Sequence, residues 1–420
     1  MIRIIKKILY FPLAYYFRFW AQIQLSIWRP TIIVVTGSSG KTTLLHLIES
    51  QIQDKARYSH LANSSFGIPF DILGLKRTTL TFNEWPYLFL LAPFKAFKAI
   101  PNEKIYIVEA DCDRPGEGKF LANLLKPEIT LWISSSLTHS VNFDYLVRNR
   151  SFSSAEEAIA YEFGYFLEYT KKMAIVNGDS SLIKKQLTRT NAQILQISQI
   201  SLKSYKILED RTEFIIGDKK YSINFIVPKE VFYSLQMTFA LLEYLKIEPD
   251  STLSKFTLAP GRCNLFNGIN NTTIIDSTYN ATPDGVKSIL EMFGKYPSKN
   301  KWIVLGDMIE LGDEEKAEHE KLAVLINPMN LSKVILIGPR VSNYTYPKLS
   351  PPTGGTKHFV LPKEGLEYIL QNIKGGETIL FKGARFLEGI IEHLLFDKND
   401  VKKLCRREKN WQLRRKKWGL

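Results

Sequence analysis

Seven consecutive residues, Gly37-Ser38-Ser39-Gly40-Lys41-Thr42-Thr43, combine a sharp turn, a cation and hydroxyls in one short space. Two glycines three positions apart let the backbone reverse, and the small residues between them leave its N–H groups room to face a ligand. Ahead of the turn, Ile32, Ile33, Val34 and Val35 are β-branched and apolar, as a buried strand requires; behind it, Lys41 to Leu45 opens a helix. A strand that turns into a helix in this way aims amides and the positive helix end at one point, which suits a chain of phosphates. Lys41 would reach the outer phosphates, and the Thr42 hydroxyl would sit on Mg²⁺. The longer form of this loop has a glycine where Val35 stands, so the chain carries the shortened Gly-x-x-Gly-Lys-Thr form. Nucleotide binding is the chemistry it predicts, because a plain strand–turn–helix leaves a buried lysine unexplained.

The remaining elements must position and complete that site. With 420 residues the chain exceeds one hydrophobic core and fits two domains with appendages. After the loop come a loop and short helix over 58–75 and an aromatic insertion over 77–104. A strand over 104–109 then ends in the acid Glu109. Helix 121–125, strand 129–133, a long helix 154–169, strand 173–176, short twisted strands in 190–226 and helix 231–245 follow. Past the turn Ala259-Pro260-Gly261-Arg262 the alternation restarts, with strands at 273–275, 302–305, 334–337 and 378–381 and helices at 285–293, 314–326, 363–373 and 385–395. Such alternation predicts an α/β, doubly wound fold: a P-loop central domain with a mostly parallel sheet over 30–257, then a Rossmann-like α/β domain over 258–397.

The net charge of +14 sits at the two ends. Residues 1–29 carry five basic groups and no acid, and residues 401–420 carry nine against Glu408, which leaves a near-neutral body. The pattern speaks against a nucleic-acid-binding core. In the first segment, Leu13, Phe17, Trp20, Ile23 and Ile27 recur at helical spacing, as on one side of an interfacial helix; the alternative is a helix packed on its own domain or a partner. Its longest uncharged run, Ile8 to Phe17, contains Pro12 and is too short to span a bilayer, and no small-residue cleavage site marks a signal peptide. Segments 1–29 and 77–104, both aromatic and basic, suit an anionic membrane surface. The basic tail 398–420 fits headgroups, RNA or plain solvation equally well. Cys112, Cys263 and Cys405 lie far apart without a Cys-x-x-Cys pair, which speaks against a disulfide framework or zinc knuckle and for a reducing cytoplasm, with the protein peripheral at the membrane's inner face.

A P-loop, an acid ending a later strand, a later histidine and a second α/β domain resemble the Mur ligases, and most closely their MurF type. The resemblance rests on ordered segments spread over most of residues 31–395. They are Thr36 to Thr42, Asn63 with Gly67-Ile68-Pro69, Val108-Glu109, Pro115-Gly116-Glu117, Lys126-Pro127, Thr138-His139 and Asn177-Gly178-Asp179. The second half adds Pro260-Gly261-Arg262, Asp276 to Ala281, Gly306-Asp307-Met308-Ile309-Glu310-Leu311-Gly312 with His319, and Lys382-Gly383-Ala384-Arg385. The resemblance implies an ATP- and Mg²⁺-dependent ligase in which a carboxylate takes the γ-phosphate and an amine then attacks the acyl phosphate. The implied acceptor is a cell-wall precursor peptide, and the implied addition is D-alanyl-D-alanine or an amino acid. Residues Gly37 to Thr43 would hold the nucleotide, Thr42 and Glu109 one Mg²⁺, and Glu109 with His139 a second. Arg262 would reach the γ-phosphate, Asp276 the ribose and Asn280 the nucleotide, while Lys382 and Arg385 would face phosphate or the incoming carboxylate. Asn63 would touch substrate, and closure of the two domains would be part of the mechanism.

Several positions depart from the family pattern. The family's carbamoylated lysine aligns, through Phe166, with Glu162, whose carboxylate would stand in for the carbamate on the second Mg²⁺. The adenine-contacting asparagine aligns with Tyr233, the second aspartate before Tyr-Asn-Ala is Ser277, and the asparagine five residues before the histidine is Ser134. The MurF type also begins with a domain that grips the UDP-sugar, whereas here 30 residues precede the first strand. A different, lipid-linked acceptor therefore stands beside the UDP-linked one. A P-loop kinase or phosphatase would not need the second-domain motifs. A catalytically weak ATP-binding scaffold at the membrane fits the lost adenine contact, but not the retention of Lys41, Glu109, His139 and Arg262.

Overall fold

The computed structural model describes residues 2–60, 62–77, 82–98, 100–350, 355–383 and 386–420. The chain packs as two units, one of residues 1–136, 145–199 and 233–249 and the other of residues 137–144, 200–232 and 250–420.

In the first unit β1 (Thr31–Thr36), β2 (Arg57–Ser59), β3 (Ile105–Ala110), β4 (Ile129–Trp132), β5 (Met173–Asn177) and β6 (Gln193–Ile197) form one sheet in the order β2-β3-β1-β4-β5-β6. Every pairing is parallel. Residues 32–35 are buried, as expected of a central strand covered on both faces. Because all strands run one way, their ends gather at one edge: Val35 pairs with Glu109, and Thr36 with both Ala110 and Trp132. The longer helices are α1 (Ile2–Trp28), α2 (Lys41–Ile52), α3 (Gly67–Leu73), α4 (Trp85–Lys98), α5 (Glu117–Leu125), α6 (Ala155–Glu168) and α7 (Val231–Leu245). Ser154 caps α6, its hydroxyl accepting from the Glu157 amide at 3.2 Å.

Helix α1 differs from the expected stripe. Its buried face is Ala14, Phe17, Ala21, Gln24 and Trp28, so only Phe17 is shared with the sequence expectation, and Ile27 is exposed. Small alanines let α1 approach α3 and α4, where Phe17 meets Phe70 and Phe89 with ring centroids 4.7 and 4.9 Å apart. The helix is thus packed on its own unit, and the aromatic insertion supplies α4 as its partner. No described helix is long and apolar enough to cross a membrane.

The second unit holds a meander of β7 (Leu202–Ile207), β8 (Thr212–Ile216) and β9 (Lys219–Ile223), with Gly217 at φ 56° in the β8–β9 turn. Its larger sheet comprises β10 (Asn264–Gly268), β11 (Thr272–Ser277), β12 (Lys301–Gly306), β13 (Lys333–Ile337), β14 (Thr356–Phe359) and β15 (Thr378–Lys382), in the order β10-β11-β15-β12-β13-β14. Only β10 is antiparallel. Around it lie α8 (Pro283–Lys295), α9 (Glu315–Ile326), α10 (Pro362–Asn372), α11 (Leu387–Leu394) and α12 (Lys409–Lys416). Trp302, Val304, Ile335, Phe381, Ile390 and Leu394 belong to its core.

The meander groups with this second unit, although residues 30–257 were expected to form one domain. Side chains account for the difference: the Tyr296 hydroxyl donates to Glu209 O at 3.0 Å, and Lys295 lies 5.2 Å from the Tyr205 ring centre. The basic tail is likewise folded, with Leu404 and Arg415 buried.

Candidate active site

In the first unit β1 delivers the chain to Gly37, at φ 134°, where a Cβ would lie 2.7 Å from Ser134 O. Gly40, at φ 82°, closes the turn. Both positions need glycine, one for want of space and both for backbone conformation. Helix α2 then opens without a side-chain cap, leaving its first-turn amides to a ligand.

Two loop amides are already engaged: Ser38 N donates to Ser134 O at 3.1 Å, and Ser39 N to Ser134 Oγ at 2.8 Å. Ser134 Oγ in turn donates to Ser39 O at 2.8 Å, and Ser38 Oγ to Ser136 O at 2.9 Å. Ser134, noted in the sequence only as a departure, is therefore the brace of the loop. The buried Lys41 ammonium donates to Gly37 O at 2.6 Å and pairs with Asp111 at 2.7 Å. Burial would lower its pKa, but the Asp111 and Glu109 carboxylates carry it above the usual lysine value. Asp111 escaped the sequence reading because its partnership depends on the β1–β3 register rather than on a motif.

Thr42 Oγ1 lies 3.0 Å from Glu109 Oε2. A hydroxyl and a carboxylate converging beside a phosphate-binding turn form a donor set that fits Mg²⁺. Asn63 lies alongside, its carbonyl accepting from the Asp111 amide at 2.9 Å.

Glu162, on α6, has both carboxylate oxygens on the first turn of α5, where Gly116 N donates at 2.8 Å and Gly118 N at 2.9 Å. Burial raises its pKa, against the stabilising pull of these amides. A Cβ on Gly118 would stand 2.1 Å from Glu162 O, so the two helices touch through that glycine. The neighbouring Glu117 is fully buried and accepts from the Ser65 amide at 2.8 Å and the Asp113 amide at 3.0 Å. Tyr233, aligned with the adenine contact, is buried and committed elsewhere: its hydroxyl donates to Asp179 at 2.7 Å and accepts from Gln199 at 3.0 Å.

In the second unit a cluster assembles from distant segments. The antiparallel β10–β11 pairing sets Asn264 opposite Asp276, which brings the Arg262 turn beside the end of β11. Parallel pairing sets Ser277 opposite Lys382. Lys382 Nζ donates to Asn280 O at 2.7 Å, and burial pushes its pKa down to about 8. Asp276 is fully buried rather than open to a ribose; it accepts from Thr278 N at 3.0 Å and Thr278 Oγ1 at 2.6 Å. Burial pushes its pKa up to about 6. The Arg262 guanidinium lies over Tyr279, 4.5 Å from the ring centre. Arg385 lies outside the described residues.

His139 belongs to the second unit, where Nδ1 lies 2.5 Å from Glu310 of the Gly306–Gly312 segment. His319 braces the same segment: Met308 N donates to its Nε2 at 3.1 Å, and its Nδ1 meets Glu315 O at 2.7 Å. Burial lowers its pKa, consistent with a neutral ring that accepts on one side and donates on the other.

The comparisons with known proteins follow the same landmarks. Residues 261–385 match the family model for the Mur ligase, glutamate ligase domain. The UDP-N-acetylmuramoyl-tripeptide–D-alanyl-D-alanine ligase of Rickettsia prowazekii is 27% identical over 84% of this chain and 75% of its own length. Its counterpart in Bacillus subtilis is 26% identical over 87% of this chain and 76% of its own length. The crystal structure of the MurF ligase from Thermotoga maritima in complex with ADP has the same fold, with a TM-score of 0.72 at 20% identity over 93% of this chain and 84% of that one. Residues 261–385 thus match the Mur ligase, glutamate ligase domain, and over most of its length the chain is similar in sequence to UDP-N-acetylmuramoyl-tripeptide–D-alanyl-D-alanine ligases, whose fold it shares.

Proposed function

We propose that this chain is an ATP-dependent ligase that joins D-alanyl-D-alanine to the peptide of a peptidoglycan precursor, the UDP-linked tripeptide named for its relatives. The observation that carries the reading is the braced Gly37–Thr43 turn with Lys41 inside it and Thr42 and Glu109 converging at 3.0 Å. In the reaction the acceptor carboxylate oxygen attacks the γ-phosphorus and ADP leaves. The amine of the dipeptide then attacks the acyl carbon, phosphate leaves, and the new amide nitrogen loses a proton.

Positioning and charge neutralisation are what this chemistry asks of the protein. Lys41 takes the outer phosphates once it exchanges Gly37 O and Asp111 for them. Thr42 and Glu109 would hold Mg²⁺, which would supply charge neutralisation at the phosphates. His139 and Glu162 are assigned to a second Mg²⁺. The amides on Glu162 fix its carboxylate while leaving lone pairs on both oxygens. Arg262 and Lys382 are assigned to phosphate, and Asp276 and Asn280 shape the loop assigned to the nucleotide.

The test is ADP release from the full chain with MgATP, the UDP-linked tripeptide and D-alanyl-D-alanine, with the product weighed by mass spectrometry. Release that needs both substrates, and a product heavier by the dipeptide, is expected. Release indifferent to either substrate would sink the assignment.

A second reading concerns where the enzyme works. Tyr87, Leu90, Phe94 and Phe97 recur at three- and four-residue spacing on α4 and are each 58–70% exposed. Phe97 continues through Trp20 to Phe19 of α1. Neither helix carries an acid, and Lys95 and Lys98 flank the apolar face. That combination complements an anionic lipid surface. Full-length protein should sediment with phosphatidylglycerol vesicles but not phosphatidylcholine ones, and Leu90→Ser with Phe94→Ser should abolish it. A dimer that the double variant dissociates, with no vesicle binding, would identify a second copy as the occupant instead.

A further inference from the structure

The segment 398–420, which the sequence left as a solvated or ligand-seeking basic tail, is tied into the second unit by its arginines. Glu388 of α11 is fully buried, and two tail residues meet it: Arg406 at 3.5 Å and the buried Arg415 at 3.5 Å. Arg415 also donates to Arg406 O at 2.8 Å, so one arginine holds the backbone of the other. Gly389 lets the tail lie this close, since a Cβ there would stand 2.9 Å from both Arg415 and Leu420. Leu404 joins the apolar core, and Trp418 faces Phe386 with ring centres 5.8 Å apart.

What this anchorage supports is the loop after β11. Arg406 donates from Nη1 to Thr278 O at 3.0 Å and from Nη2 to Tyr279 O. Thr278 Oγ1 lies 3.6 Å from Cys405 Sγ. Gly261, at φ 73°, is wedged between the same parts: a Cβ there would meet Tyr279 N at 2.9 Å and Cys405 Sγ at 3.1 Å. The tail, the Arg262 turn and the Asp276–Ala281 loop therefore interlock. The Arg406 charge also faces buried carboxylates at Glu388 and Asp276, which raise the cost of displacing it.

We infer that segment 398–420 is a strap that fixes the Thr278–Asn280 loop, and that Arg406 is a positioning residue for nucleotide binding by that loop. The inference rests on the functional reading above, in which the loop serves ATP. A planar guanidinium spreads its donors over a fixed fork that spans two successive carbonyls and a carboxylate, whereas a lysine has all its donors on one atom. The strap acts through the loop backbone, so its removal should loosen nucleotide binding without touching the chemistry of the amine.

The experiment compares Arg406→Ala, Arg406→Lys and Lys403→Ala in the full chain, because Lys403 sits on the same strap and pairs with Asp400 at 2.7 Å. Two quantities are read: the dissociation constant for MgATP, and amide hydrogen exchange in the 276–282 peptide. Arg406→Ala should weaken MgATP about tenfold and speed exchange in that peptide; Arg406→Lys should fall between, and Lys403→Ala should match the unaltered chain. Equal exchange and equal affinity in Arg406→Ala and Lys403→Ala would overturn the strap. Faster exchange in Arg406→Ala, in a chain that binds no MgATP even unaltered, would overturn the ATP reading and with it the role in nucleotide binding, while the mechanical support stands. Gly389→Leu, which displaces the strap without altering any arginine, should reproduce the Arg406→Ala result.

Discussion

The loop after β1 and the loop after β11 are both candidate ligand sites at the end of a strand inside a mostly parallel sheet, yet they are built in opposite ways. The first is contiguous: strand, turn, lysine and hydroxyls follow one another between Thr31 and Thr43. The second is gathered from Arg262, Asp276–Asn280, Lys382 and Arg406, which register and a returning tail bring together. A contiguous site keeps its geometry through local backbone rules, whereas a gathered one depends on burial and on distant anchors. The charges show the same contrast. Lys41 is buried yet has its pKa raised by adjacent carboxylates, while Lys382 is buried and has its pKa lowered.

The largest effect expected from this contrast is at the contiguous site. Lys41→Met should lower ADP release about a thousandfold with the fold retained by circular dichroism, because a preorganised cation at developing charge contributes about 3–4 kcal/mol. A loss under tenfold would break the comparison, since the motif would then not carry the chemistry.

Glu162 comes next. Glu162→Gln should lower turnover about a hundredfold, bicarbonate should not restore it, and unaltered enzyme should work equally well in carbonate-free buffer. Turnover near normal in the variant would reduce Glu162 to a cap on α5.

For the gathered site, kcat/KM for ATP should fall about tenfold per pH unit above pH 8, the point where Lys382 loses its proton. Lys382→Arg should move that arm beyond pH 10, because the guanidinium stays charged. An arm that stays at pH 8 in the variant assigns it to another group.

The smallest effect is thermodynamic. Asp276 has a folded pKa of about 6 against an ordinary value of 3.8, so the folded state holds more protons between those values. Its contribution therefore falls as pH rises through that window, and the ionised carboxylate is a liability at neutral pH. Asp276→Asn should raise the melting temperature by about 2–4 °C at pH 7, and the gain should vanish below pH 4. A gain that persists at low pH would point to packing rather than charge.

The alternation of strands and helices was legible along the chain because parallel strands read as apolar runs, and the observed β12 and β13 begin one residue before the expected ones. Short edge strands such as Arg57–Ser59 and Thr356–Phe359 were not, since edges carry little apolar signal. The stripe on α1 was misplaced by one position at several points. The sequence rule seeks large apolar residues, whereas close helix packing selected Ala14 and Ala21.

What the amino-acid order settled unaided is the P-loop, the α/β alternation and the resemblance to Mur ligases, because each is written in neighbouring residues whose local physics needs no distant partner. Tertiary structure alone decided that Ser134 braces the loop, that Asp111 holds Lys41, that Glu162 sits on two glycine amides and that Arg406 supports Thr278 and Tyr279. Those pairings span tens to more than a hundred residues. They exist because strand register and burial choose partners for polar groups that cannot remain unsatisfied away from water.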